Sequence, residues 1–106
     1  MALYAVEVTL ADDAEQRARL HPHHRAHMTE LVANGQVWLA GPWVDGGSGG
    51  LMVFEVPDRA TLDLILAADP YARAGMVIAR RIHLWQPTLG LLLSHIKDSV
   101  AAVTPS

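Results

Sequence analysis

Four of the chain's six histidines, His21, His23, His24 and His27, fall within two helical turns of one another. Further along comes the run Asp69-Pro70-Tyr71-Ala72-Arg73-Ala74-Gly75. Histidine is the side chain whose unperturbed pKa lies nearest neutrality, so an imidazole can take or give a proton under ordinary conditions. A carboxylate bonded to one ring nitrogen fixes the tautomer and leaves the other nitrogen for chemistry. A dense imidazole patch plus one carboxylate after a helical stretch therefore points to proton transfer, provided the fold brings the two together.

The elements that must do so are legible in the hydrophobic pattern. Tyr4, Val6, Val8 and Leu10 alternate with Ala5, Glu7 and Thr9, which is a half-buried strand. Asp12-Asp13 offers an N-cap for a short helical turn through Leu20. Pro22 suits a first helical position better than an interior one, which predicts a main helix from Pro22 to Asn34, closed by Gly35. Val37 to Ala40 reads as a second strand ending at Gly41-Pro42. Trp43 to Gly50 reads as a turn region and Leu51 to Val56 as the third strand of a hairpin. A second helix starts at Pro57-Asp58, with Leu62, Ile65 and Leu66 on one face, and stops at Asp69-Pro70, because a residue before proline avoids the helical region. Met76 to Trp85 is a fourth strand, closed by Pro87.

The order β-α-β-β-α-β is the split-βαβ, ferredoxin-like arrangement: an α+β fold with a four-stranded antiparallel sheet and both helices on one face. Leu89, Leu92, Leu93, Ile96, Val100 and Val103 add an amphipathic C-terminal helix, expected to cover part of the sheet or to reach a partner subunit. The domain is expected to span residues 1–88, with the helix and tail at 89–106.

The 106 residues suit one domain. There is no cysteine, which excludes thiol nucleophiles, disulfides and cysteine-ligated metals. A net charge of −3 and no basic stripe argue against nucleic acid; Arg80 and Arg81 would point to opposite faces of their strand. No signal sequence and no membrane span is evident, and a cytoplasmic protein is expected. Hydrophobic residues make up 51% of the chain, more than one small core hides, which suggests a homodimer interface.

Taken together and in order, Pro22-His23-His24, Ala40-Gly41-Pro42, Asp69-Pro70-Tyr71 with Ala74-Gly75, and Trp85-Gln86-Pro87 resemble the YciI-like, or YCII-related, family of small proteins over residues 1 to about 90. The resemblance implies a ferredoxin-like protomer that dimerises into an α/β barrel. It also implies a suspected histidine–aspartate active site, which falls here on His24 and Asp69. Family activities that have been proposed resemble lyases or dehalogenases acting on small ring compounds, and related dimeric barrels include isomerases. This chain has His21 where the family often has arginine, and its C-terminal helix is longer than a minimal member needs.

The expected function is thus a small-molecule enzyme of lyase, isomerase or dehalogenase type, with His24 and Asp69 as general acid/base pair. Tyr71, Arg73, Trp43 and His21 are the candidates for substrate contact. The alternative is a non-catalytic dimeric module that binds a small ligand or a partner. In its bland reading Asp69 caps a short turn, a role compatible with holding His24 because a carboxylate has two oxygens. His23 and His27 have the i, i+4 spacing that could share an ion, but solvated surface histidines are expected and no metal is assigned. Trp38 and Trp85 are expected to pack in the core. The glycines around Ser48 lack the ending of a phosphate loop and read as a hairpin turn or a flap. No cofactor is expected.

Overall fold

The structure is a computed structural model and describes residues 1–96. Its elements are β1 (Ala2–Leu10), α1 (Ala14–Ala33), β2 (Val37–Pro42), β3 (Gly49–Val56), α2 (Arg59–Ala68), α3 (Pro70–Arg73), β4 (Val77–Trp85) and α4 (Leu93–Ile96). The sheet runs β2-β3-β1-β4 and every pairing is antiparallel. This is the ferredoxin-like α+β arrangement.

Alternation along β1 sends Tyr4, Val6, Val8 and Leu10 into the core, where Met52, Phe54 and Val56 of β3 join them. Met28 and Leu31 of α1 and Leu62 and Leu66 of α2 close the layer from above. Val6, Val56 and Leu62 are completely buried. At roughly 1.5–3 kcal/mol per fully buried aliphatic side chain, this layer is what holds the helices to the sheet.

One helix replaces the two segments predicted on either side of Pro22. Asp13 caps it through Gln16 N, and it continues through Pro22 to Ala33. Proline removes one helical hydrogen bond and strains the preceding turn. Here the helix survives because apolar residues on both sides of Pro22, Leu20 and then Met28 and Leu31, pack on the same core.

The opposite sheet face carries only a small cluster, Leu3 and Val53, against which Trp38 and Leu93 pack. A register shift between Val37 and Leu39 turns β2 locally, so Leu39 pairs with Val53 on this face. Trp85 pairs with Leu3 and is 46% exposed, so it is not the core residue expected from its strand position. Trp38 is half-buried on the same face rather than in the main core. Of the predicted C-terminal helix, residues 89–92 are not helical and Leu93–Ile96 are. Val100 and Val103 of that stripe lie outside the described residues. Among the described residues no helix is long and apolar enough to cross a membrane.

Two glycines let the strands meet beside the cleft described below. A Cβ on Gly49 would overlap the Val8 carbonyl, and one on Gly50 would overlap the Gly41 carbonyl. The start of β3 must therefore be bare backbone to lie between β1 and β2.

Phe54, 1% exposed at the centre of the sheet, is the largest of the fully buried side chains among the described residues. Phe54→Ala is expected to lower unfolding free energy by about 3–5 kcal/mol in urea titrations. A loss under about 1 kcal/mol would mean that the helices do not depend on this layer.

Candidate active site

The central constraint is at residue 69. Asp69 ends α2 and begins α3, with φ −60° and ψ 131°, the extended conformation that Pro70 imposes on its predecessor. Its Oδ1 accepts from the Tyr71 backbone N–H at 2.9 Å, so it is an N-cap as the sequence suggested. Both of its carboxylate oxygens also lie 3.0 Å from Nδ1 of His24. Asp69 is 8% exposed, and is the one buried charged residue among those described. The hydrogen bond assigns the proton of a neutral His24 to Nδ1, so the Nε2 lone pair is free and the ring lines a cavity.

Tyr71 packs against the other side of the imidazole, ring centroids 4.6 Å apart. Its hydroxyl donates to the Arg17 carbonyl at 3.4 Å and lies 3.4 Å from Nδ1 of His21. Burial pushes the Tyr71 phenol above its usual range. The Asp69 carboxylate pushes it the same way, and the Arg17 charge pulls it back. The phenol is thus held in its neutral, hydrogen-bonding form.

The cavity, about 550 Å³, lies between α1 and the sheet and is roofed by the β2–β3 loop. His21, His24, Trp43, Asp69 and Tyr71 all line it, so five of the six candidates share one space. Arg73 does not: it is exposed, on the last turn of α3. Three arginines that the sequence reading passed over take its place, Arg17, Arg25 and Arg80. The signal for Arg17 was there. It stands four residues before His21 and seven before His24, on one helix face, but only if the helix runs unbroken through Pro22. Ser48, in the glycine-rich loop, accepts a hydrogen bond from the Arg17 guanidinium.

His23 is exposed and His27 half-buried. Among the described residues no group of three or more histidine, aspartate or glutamate side chains is placed to hold a metal ion.

Fold and site together define a ferredoxin-like α+β domain with a hydrogen-bonded histidine–aspartate pair beside an open cavity. The YCII-related domain matches residues 1–86, and the chain belongs to that family. No curated protein matched the sequence. Among solved structures, the fold is similar to 5-chloro-2-hydroxyhydroquinone dehydrochlorinase from Burkholderia phenoliruptrix AC1100, in complex with 2,5-dihydroxybenzoquinone. The TM-score is 0.71 at 18% identity, covering 79% of this chain and 93% of that one.

The raised Tyr71 pKa has a sign that can be checked. Below about pH 10 the phenol is neutral in folded and unfolded chains alike. Above it the unfolded chain ionises first, so stability falls as pH rises towards the folded-state value. Tyr71→Phe is expected to flatten that alkaline loss in urea midpoints compared at about pH 8 and about pH 10.5. An unchanged slope would mean that the phenol titrates as it does in solvent.

Proposed function

We propose that this protein is a small-molecule enzyme of lyase or isomerase type in which His24, oriented by Asp69, moves a proton on a small ring compound. The observation that carries the reading is the two-oxygen contact of Asp69 to His24 Nδ1 at 3.0 Å beside an open cavity. Membership of the YCII-related family and a fold shared with a dehydrochlorinase support it.

The chemistry follows from the geometry. Nε2 of His24 takes a proton from a carbon of the bound substrate. The electron pair of that C–H bond becomes a new π bond, and in an elimination a leaving group such as chloride departs with its own pair. In an isomerisation the proton returns at another carbon. Asp69 holds the ring in the tautomer that keeps Nε2 available and offsets the positive charge of the imidazolium formed. A positioned group of this kind contributes about 10²–10⁴-fold. Tyr71 fixes the ring plane, and His21 and Trp43 line the space where substrate sits.

The apolar sheet face suits a homodimer. Leu39, Leu51, Leu84 and Trp85 are exposed there or at its edge, around an apolar groove of about 1060 Å³. A second copy laid face to face would cover it. Light scattering at micromolar concentration is expected to give twice the monomer mass, and a monomer would remove this part of the reading.

Chloride release from 5-chloro-2-hydroxyhydroquinone tests the reaction. His24→Asn is expected to lower kcat/KM by about 10²–10⁴-fold with folding intact. Asp69→Asn keeps the cap and is expected to lose less in stability than Asp69→Ala, but to lose turnover as well. Full activity in His24→Asn would sink the mechanism. Binding without turnover by the unaltered protein, across chlorinated and hydroxylated ring compounds, would favour the non-catalytic ligand-binding module.

A further inference from the structure

The cavity's charge is opposite to that of the chain. The protein carries 11 acidic residues against 8 lysines and arginines, yet three of those eight, Arg17, Arg25 and Arg80, line this one cavity. Among the described residues the only acidic one lining it is Asp69, and His24 and the Tyr71 N–H occupy its oxygens. None of the three arginines is in an ion pair with a described residue; the arginine ion pairs are elsewhere, Arg59 with Asp63 and, on the far sheet face, Arg81 with Glu7.

Two of the guanidinium groups can be placed. Arg17 donates one hydrogen bond to the Ser48 hydroxyl, in the loop that roofs the cavity. Arg80 donates one, at 3.2 Å, to the Leu66 carbonyl in the last turn of α2, another cavity-lining residue. A guanidinium has five N–H donors, so each keeps several in hand. Both contacts are to neutral oxygens, which hold a guanidinium in place without cancelling its charge. Met28, Met52 and Trp43 give the wall an apolar part. Arg17 is half-buried and Arg25 and Arg80 are exposed, and unpaired positive charges gathered around one concavity focus their field on it and draw anions there.

We propose that the substrate is a small organic oxyanion, a carboxylate or an ionised enol on one ring, with its charged oxygens held by Arg17 and Arg80 and its apolar body against Met28, Met52 and Trp43. The inference rests on His24 being the acid–base group, and it deepens that reading by naming what the site would accept. Charge held at the arginines would orient the ring, so that one carbon rather than another faces Nε2. Arg17 and Arg80 are binding and positioning residues in this scheme. They sit on two different elements, α1 and β4, so the anion would also tie the helix layer to the sheet.

Calorimetric titration of the full chain with benzoate, benzamide and inorganic phosphate tests it. Benzoate and benzamide share a ring and a size but differ in charge, and phosphate has charge without an apolar body. Benzoate is expected to bind at least about tenfold more tightly than either, and more weakly as salt is raised. Arg17→Met and Arg80→Met are each expected to weaken benzoate by about ten- to a hundredfold, while leaving benzamide within about twofold. Arg17→Lys and Arg80→Lys should recover part of the loss, and Ser48→Ala should keep benzoate binding, because it removes the tether and not the charge. Equal binding of benzoate and benzamide, unaltered benzoate binding in both methionine variants, or no binding of benzoate at about 10 mM would each overturn the oxyanion assignment. Phosphate binding as well as benzoate would overturn the organic part of it. His24→Asn belongs to the catalytic test and not to this binding test. Its turnover on the chlorinated ring decides the acid–base reading separately, so the two can fail independently.

Discussion

A single carboxylate organises this site. Asp69 must be extended because Pro70 follows it, and an extended residue there ends α2 and starts α3 in one step. That same backbone geometry aims the carboxylate back across the core to His24, 45 positions earlier in the chain. One oxygen serves the Tyr71 N–H as well, and Tyr71 then lies against the imidazole it helps to place. A buried carboxylate is stable only when its oxygens are engaged by donors, and this one is engaged from both sides. Structural capping and the orientation of a reactive nitrogen are therefore not competing roles. Removing the carboxylate would undo the helix junction and the tautomer together, whereas an amide keeps the junction.

The scaffold can tolerate this arrangement because its helix layer is held by apolar contacts that do not involve the polar groups. Tyr4, Val6, Phe54, Val56, Leu62 and Leu66 form a continuous buried sheet-and-helix contact. The polar groups sit at its rim, where α1, α3 and the β2–β3 loop converge. There the chain uses bare backbone at Gly49 and Gly50 to bring three strands close, and it uses Arg17 on Ser48 to hold the loop.

Much of this was legible in the sequence. Period-two alternation in β1 and the apolar runs of β2 and β3 located those strands along the chain, and the Asp69-Pro70 pair marked the helix junction. The pairing of His24 with Asp69 came from a resemblance to a family, not from spacing, since no local rule links residues so far apart. What failed was the treatment of Pro22. Proline disfavours a helix interior locally, but a helix with core contacts on both sides of it can absorb the missing bond, and propensity says nothing of those contacts. Splitting the helix hid Arg17, which reaches the cavity only on an unbroken face. Arg73, a candidate from the same run as Asp69 and Tyr71, is exposed at the end of α3. The tryptophans misled for a different reason: a strand pattern tells inside from outside only when one face is covered, and Trp38 and Trp85 belong to the other.

Pro22 also leaves a mark on the cavity wall itself. Lacking an N–H, it has nothing to donate to the carbonyl of Ala18, one turn earlier and itself a cavity-lining residue. That stretch of α1 is therefore one ladder bond short, and it is held by the core contacts of Leu20, Met28 and Leu31 rather than by its own backbone alone. A helix acceptor without its ladder partner must be served by water or by a donor from outside the ladder.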